Sequence, residues 1–367
     1  FPYHFFDINT GNPASGAEIS TIDAAILACG ALFTKRYFSK NQNIAHYADA
    51  LFNSMNWKAG IKDSEYCFRE LDHNGVGKEN SATRGFNEYI ILSYLASNAK
   101  AGSNNSANYD YHKNPLYQHH DLTGAAQTNT VRTYYWGGAN LKGKLTDTGT
   151  DVYVLTDQAE HKRYISSFIV QLCYFLCHDL SVSDDFIKFG QAAAAADYTW
   201  WKRYTPQDGH ALPIAYWGLG AGYSPGGCNY CAESIDKNND LIVSPHTVAG
   251  FLPFSTPTGN DIFKHTTSRI YNNLYNMYAE HLGETSDGAL YTLNDGRKSA
   301  ILWRFSVAPN LSTWRATQVN LVDFSSMLFG LASRLMPPSS TNNVTAENFF
   351  PSFNDFFSST TIPQDPH

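Results

Sequence analysis

The segment at residues 20–38, STIDAAILACGALFTKRYF, constrains the fold more than any other part of the sequence. From Ile22 to Phe33 its apolar side chains cover almost the whole circumference of a helix, which is typical of a helix enclosed by others. Several of its residues are small enough to permit close packing: Ala24, Ala25, Ala28, Gly30 and Ala31. The sequence therefore predicts a large helical assembly with an inner layer.

Helical periodicity recurs along the chain and predicts further helices at 41–56, 84–99, 158–179, 184–203, 260–282 and 317–335. Between them lie long segments rich in Gly, Asn, Tyr and Pro, at 101–150 and 204–258. Connections this long usually form functional loops or the walls of a binding site. We expect one helical domain at 1–336, and a Ser-, Thr- and Pro-rich tail at 337–367 that packs on it through Phe pairs.

Composition excludes several classes of partner. The formal net charge is −7 and the pI is near 6.0, whereas nucleic acids and anionic membranes bind clustered Lys and Arg. The chain has no uncharged apolar stretch long enough to cross a bilayer, so we expect no membrane insertion. Aromatic residues make up 14% of the chain, more than a core requires, and some of them are expected to line a ligand cleft.

The six cysteines do not indicate a zinc site. Cys173 and Cys177 fall within a predicted buried helix and are expected to be buried thiols. Cys228 and Cys231 lie in a Gly-rich loop, where either a local disulfide or a free pair fits the spacing. We therefore expect no zinc site at these cysteines.

Three carboxylates fall on apolar helical faces, where a charge needs a partner or a function. Asp23, which follows Glu18, could instead stabilise the start of its helix. Glu88 could instead be an ion-pair partner of Arg84. Asp323 has no cation near it in sequence, which favours a functional role.

Other polar residues of the predicted helices have both a structural and a functional interpretation. Asp157 and Glu160 have the spacing of a capping box, so Glu160 could simply close the start of a helix. Gln171 and His178 lie seven residues apart on one face of that helix. They are either satisfied core residues or the polar lining of a sugar site.

Two tryptophans are candidates for stacking on the apolar faces of sugar rings. Trp136 and Trp217 lie next to glycines, and we expect both rings to be exposed to a cleft. Trp200 and Trp201 are better explained by helix packing.

The opening HFFDINTG, followed by AEISTIDAAILACGAL, resembles the start of the bacterial glucoamylase-like family that contains the endo-β-1,2-glucanases. Similar segments follow in the same order: GFNEY at 85–89, FIVQ at 168–171, YWGL at 216–219, AGFLPF at 249–254 and LVD at 321–323. The resemblance spans residues 3 to 335. It implies an all-α (α/α)6 toroid with long functional loops and without a metal or cofactor.

The resemblance also implies an activity, the anomer-inverting, endo-acting hydrolysis of β-1,2-glucan. Such enzymes use an acid and a base whose carboxyl groups lie about 6.5 to 9.5 Å apart. We predict Asp323 as the base and Glu88 or Glu160 as the acid. The predicted substrate-binding residues are Glu18, Asp23, Trp136, Gln171, His178, Trp217 and Tyr223.

The chain departs from the family pattern at two places. Arg84 replaces an acidic residue, and the Ser-Asp-Gly after Trp-Gly-Leu is replaced by Gly222-Tyr223-Ser224. One alternative is a non-catalytic glucan-binding protein, and another is a glycosidase or transglycosylase acting on a different β-glucan linkage. In each case we expect a monomer that binds an oligo- or polysaccharide. Three Asn-x-Ser/Thr sequons are consistent with a secreted or periplasmic location.

Overall fold

The fold is that of a computed structural model, which describes residues 1–38, 40–62, 66–83, 87–99, 142–145, 150–153, 166–181, 184–203, 216–226, 230–233, 238–259, 265–283, 290–292, 298–300 and 302–335. These residues are mostly helical, with short strands between the helices, which is consistent with the predicted all-α class.

The described helices are α1 Thr21–Tyr37, α2 Gln42–Ser54, α3 Ile90–Asn98, α4 Ser167–Leu176, α5 His178–Ser181, α6 Asp184–Arg203, α7 Pro245–Gly250, α8 Thr267–Gly283 and α9 Leu321–Leu335. The strands are β1 Ile19–Ser20, β2 Ile61–Lys62, β3 Tyr66–Phe68, β4 Glu70–Leu71, β5 Ala82–Thr83, β6 Lys142–Leu145, β7 Thr150–Tyr153, β8 Ala221–Gly222, β9 Cys231–Ala232, β10 Ile242–Val243, β11 Leu290–Thr292, β12 Lys298–Ala300 and β13 Phe305–Ser306. All pairings between these strands are antiparallel: β1 with β4, β3 with both β2 and β5, β6 with β7, β8 with β9, β10 with β13, and β11 with β12.

The predicted helix at 184–203 is confirmed as α6, and those at 20–38 and 41–56 are confirmed to within a few residues. The helix predicted to begin at residue 84 begins only at Ile90. The Asn87 side chain accepts a hydrogen bond from the backbone N–H of Tyr89 at 3.0 Å, which forms a turn of the kind that precedes a helix. Glu88 therefore lies in this turn. The prediction that it lies on an apolar helical face is wrong.

Helix α1 is not enclosed on all sides as predicted. Leu27 is 48% exposed, and no atom lies within 4 Å of a side-chain carbon placed at Gly30. Helix α4 is fully enclosed, since every one of its residues is buried, and so is α7. This short helix starts at Pro245, a residue that suits the first turn of a helix because its missing N–H would have no partner there.

Helix α9 lies directly against α7, and Gly330 permits the contact. A Cβ atom at Gly330 would come within 2.0 Å of the carbonyl oxygen of Ala249. We therefore expect Gly330→Ala to destabilise the protein by about 2 kcal/mol or more, measured by denaturant unfolding. Gly30→Ala is the matched control, since Ala in an open helical position stabilises by about 0.5 to 1 kcal/mol. Equal effects from the two substitutions would contradict a backbone contact at Gly330.

The cysteines agree with the sequence-based expectations where the structure describes them. Cys173 and Cys177 are buried and not disulfide-bonded, as are Cys29 and Cys67. Cys231 is disulfide-bonded, which fits the disulfide alternative, and Cys228 lies outside the described residues. Among the described residues, no group of three or more His, Cys, Asp or Glu side chains is arranged to hold a metal ion. None of the helices described combines the length and apolarity needed to cross a membrane.

Candidate active site

Asp323 occupies the first turn of α9 and is almost completely buried, with 1% of its surface exposed. Neither carboxylate oxygen has a hydrogen bond of acceptable geometry within the described part of the chain. Burial raises the pKa of Asp323 to about 6, although the nearby Tyr230 hydroxyl and the Arg304 guanidinium both act to lower it. A buried carboxylate whose pKa stays raised beside two such groups is costly to keep ionised, so this arrangement points to a function.

Tyr230 precedes β9 and is 45% exposed, so its ring lies between solvent and the buried Asp323. Its pKa is raised by partial burial, by the negative charge of Asp323 and, more weakly, by that of Asp23. Because both carboxylates act on one phenol, the start of α9 and the start of α1 face a common region.

Arg304 and Glu233 form a buried ion pair beside this region. The Nη2 group of Arg304 pairs with Glu233, whose other oxygen accepts a hydrogen bond from the Ser224 hydroxyl. The Nη1 group donates to the Gly220 carbonyl at 3.4 Å. Gly222 has a φ of 141°, and a Cβ atom there would come within 2.5 Å of this guanidinium. The pair therefore ties the β8–β9 hairpin, which carries Ser224 and Tyr230, to the residues before β13.

Two further carboxylates lie near the start of α1: Asp23 in its first turn and Glu18 just before β1. The His4 ring contacts both of them, with Nδ1 at 2.7 Å from Glu18 and Nε2 at 3.4 Å from Asp23. The hydrogen bond with His4 lowers the pKa of Glu18. Ser20 caps the helix by accepting the Asp23 N–H at 3.4 Å, and its hydroxyl donates to the Asp23 carboxylate. Both predicted substrate-binding acids thus lie side by side at this helix start.

Glu88 is partly buried in the turn before α3. Burial raises its pKa, the negative charge of Asp23 raises it further, and Arg69 lowers it. Asp23 therefore interacts electrostatically with Glu88 on one side and with Tyr230, next to Asp323, on the other. We call Asp23, Glu88, Tyr230, Arg304 and Asp323 the acidic site. Arg84, the alternative partner of Glu88, lies outside the described residues.

Trp217 is not exposed to a cleft, so that expectation was wrong. Its ring is fully buried and lies nearly parallel to that of Phe251, with centroids 6.0 Å apart. Gly218 has a φ of 91°, and a Cβ atom there would come within 2.6 Å of Val248. The glycine beside Trp217 thus serves a tight turn against α7, and the ring points into the core.

Gln171 is also fully buried, and its amide donates to the carbonyl of Thr247 at 2.8 Å. This contact between α4 and α7 supports the core interpretation only in part, because the side-chain oxygen of Gln171 has no hydrogen-bond partner among the described residues. Tyr223 is half-buried in the β8–β9 hairpin that carries Tyr230. Glu160 and Trp136 lie outside the described residues, and only the backbone of His178, at the start of α5, is described.

Two charged residues of structural importance were missed in the sequence. Arg304 stands alone between aromatic residues, and Asp197 follows a run of alanines in α6. Asp197 is buried and accepts hydrogen bonds at 3.0 Å from the N–H groups of Gly218 and Leu219 and from the Ser167 hydroxyl. The criterion applied to Asp323, a charge amid apolar helical neighbours, would have found Asp197.

No protein-family model and no curated protein sequence matches the chain. Solved structures do match it. An endo-β-1,2-glucanase from Chitinophaga pinensis, in complex with sophorotriose and glucose, is 16% identical with a TM-score of 0.54, covering 94% of this chain and 69% of that one. A glucoamylase-like protein from Bacteroides uniformis is 15% identical with a TM-score of 0.59 over the same shares. A β-1,2-glucanase from Parabacteroides distasonis is 16% identical with a TM-score of 0.57, covering 94% of this chain and 43% of that one.

At these identities the similarity establishes a shared fold, and the activities named are those of the other proteins. The neighbours are those that the sequence motifs indicated: endo-β-1,2-glucanases and glucoamylase-like proteins.

Proposed function

We propose that this protein is a glycoside hydrolase that cleaves β-1,2-linked glucan within the chain and inverts the anomeric configuration. The observation that carries the proposal is the buried Asp323 carboxylate, which has no cation paired with it at ion-pair distance among the described residues and lies next to the hydroxyl of the half-exposed Tyr230. The fold shared with the endo-β-1,2-glucanase from Chitinophaga pinensis supports the choice of substrate.

In the proposed reaction Asp323 acts as the base. Its carboxylate takes a proton from water, whose oxygen bonds to the anomeric carbon as the glycosidic bond breaks. Glu88 donates a proton to the departing oxygen, with Glu160 as the alternative acid. The raised pKa of Glu88 favours this role, because the group must still carry its proton when the reaction begins.

The proposal extends to the architecture around the site. We infer an (α/α)6 toroid at 1–336, with 337–367 as a tail packed on it, in a monomeric protein that is secreted or periplasmic. The enclosed α7 and its close contact with α9 support an inner layer of helices. The tail lies outside the described residues.

Incubation with a panel of glucans tests the function. We expect new reducing ends from linear β-1,2-glucan, and none from β-1,3- or β-1,4-linked glucans. Redistributed chain lengths without net hydrolysis would instead indicate a transglycosylase. Binding without any product would indicate a glucan-binding protein, and either result would overturn the proposal.

The proposed role of Asp323 predicts a pH dependence. A base works ionised, so kcat/KM should fall as the pH drops through the pKa of Asp323, about 6. Arg304 lowers that pKa through its positive charge, so Arg304→Met should move the acid limb to higher pH. Glu233→Gln is the matched control, because it removes the ion-pair partner but keeps the guanidinium. An acid limb that stays in place in Arg304→Met would contradict the assignment.

A further inference from the structure

A cavity of about 570 Å³ lies at the turn between α1 and α2. It is lined by two aromatic rings, three amides and one amine: Tyr37, Phe38, Asn41, Gln42, Asn43 and Lys40. We call these six residues the aromatic corner. The volume is within the usual range for ligand pockets, about 300 to 1,000 Å³.

The rings of Tyr37 and Phe38 are both exposed to solvent and stand at nearly a right angle to each other. Tyr37 is 72% exposed and Phe38 is 47% exposed, with ring centroids 4.9 Å apart and an interplanar angle of 80°. The ring of Phe33 stacks behind Tyr37, with a centroid distance of 6.2 Å, and itself packs against the core. The corner is therefore an exposed pair of apolar faces with support from inside the protein.

The polar groups of the corner suit hydroxyl groups. The Asn41 side-chain oxygen caps α2 by accepting the N–H groups of Asn43 at 3.1 Å and Ile44 at 3.3 Å. This leaves the amide NH₂ of Asn41 as a donor for a ligand. Gln42 and Asn43 are exposed, so their amides supply further donors and acceptors. Among the described residues that line the cavity Lys40 is the one charged group, so the rest of this lining is neutral.

The aromatic corner is separate from the acidic site. Asp23 and Tyr37 lie at opposite ends of α1, which at about 1.5 Å per residue places them about 21 Å apart. The Lys35–Asp49 ion pair at 2.5 Å joins α1 to α2 close to the corner.

We propose that the aromatic corner is a second glycan-binding site, which holds a neutral gluco-oligosaccharide by stacking sugar rings on Tyr37 and Phe38. Sugar rings carry apolar C–H faces that pack on aromatic rings, while their hydroxyls bond to amides. The choice of ligand rests on the proposed function, whereas the location of the site does not. Such a site would hold a long substrate near the enzyme while its other end enters the acidic site.

Calorimetric titration with a linear β-1,2-gluco-oligosaccharide tests this inference. Asp323→Asn serves as the background, so that the ligand stays intact, and circular dichroism verifies its fold. We expect two classes of binding site in this background and one after Tyr37→Ala with Phe38→Ala. For long glucan we expect apparent affinity to fall by about tenfold on affinity electrophoresis. Tyr275→Ala is the matched control, since Tyr275 is 68% exposed on α8, outside the corner.

The outcomes separate this inference from the proposed function. Unchanged binding after the Tyr37 and Phe38 substitutions, or an equal loss with Tyr275→Ala, would overturn the second site even if the wild type hydrolyses glucan. Binding that depends on Tyr37 and Phe38 in a protein that releases no reducing ends would support the site and refute the hydrolase.

Discussion

Replacing Asp323 with Asn is expected to lower the kcat for β-1,2-glucan by about a thousandfold or more, since a general base contributes about 10² to 10⁴. The amide has nearly the same shape as the carboxylate but cannot accept the proton of the attacking water. Asp323 lies buried in the first turn of α9 with the Tyr230 hydroxyl nearby, and the amide oxygen of Asn can also accept a hydrogen bond from that hydroxyl. The measurement is the rate of reducing-end release.

The same variant should remain folded. The pKa of Asp323 is raised from 3.8 to about 6, so the folded state holds this proton more tightly than the unfolded state does. The wild type therefore loses stability as the pH rises from about 4 through 6, and the neutral Asn does not. Above pH 7 we expect the variant to melt no lower than the wild type.

Ser326→Ala is a matched control for Asp323→Asn. Ser326 is buried one turn further along α9, and its hydroxyl has no hydrogen-bond partner within the described residues. We expect the Ser326 variant to keep the wild-type rate to within about twofold, since it removes a buried polar group but no charge. Wild-type activity in Asp323→Asn would remove Asp323 from the mechanism.

The sequence predicted helices well, because apolar periodicity reports directly on burial. Helix α6 was predicted over its full range, and the burial of Cys173 and Cys177 followed from the apolar character of α4. The start of α3 was missed because residues 87–89 form a turn that includes a local hydrogen bond from the Tyr89 N–H to the Asn87 side chain. The periodicity of apolar residues carries no information about such a hydrogen bond.

The candidate site was predicted only in part, for a related reason. Asp323, Asp23 and Glu88 could be selected because a charge among apolar neighbours is conspicuous within one helix. Tyr230 and Arg304 join them only through the fold, since the hairpin of β8 and β9 brings residues distant in sequence to the start of α9. Trp217 shows the opposite error: neighbouring glycines suggested exposure, but they serve close packing against α7.

Replacing Asp197 with Asn is expected to destabilise the protein by about 1.5 to 3 kcal/mol, the range for hydrogen bonds to a charged group. One oxygen of this buried carboxylate accepts the N–H of Gly218, and the other accepts both the N–H of Leu219 and the Ser167 hydroxyl. Asn supplies one acceptor oxygen, so its NH₂ group would face a backbone donor. The loss of this hydrogen bond would release the turn that leads into β8 and into the hairpin beside Asp323.

The dependence of this deficit on pH distinguishes a lost carboxyl group from a general packing defect. Burial raises the pKa of Asp197 to about 7, so the folded wild type takes up a proton as the pH falls from 7 towards 4 and gains stability relative to the unfolded chain. The Asn variant cannot take up this proton. Denaturant unfolding should therefore show a larger difference in the free energy of unfolding between wild type and variant at pH 5 than at pH 8. Ser167→Ala is the control: it removes one donor, leaves both backbone N–H groups bonded, and should cost about 1 kcal/mol. A deficit in Asp197→Asn no larger than that of Ser167→Ala would show that Asp197 does not hold this turn.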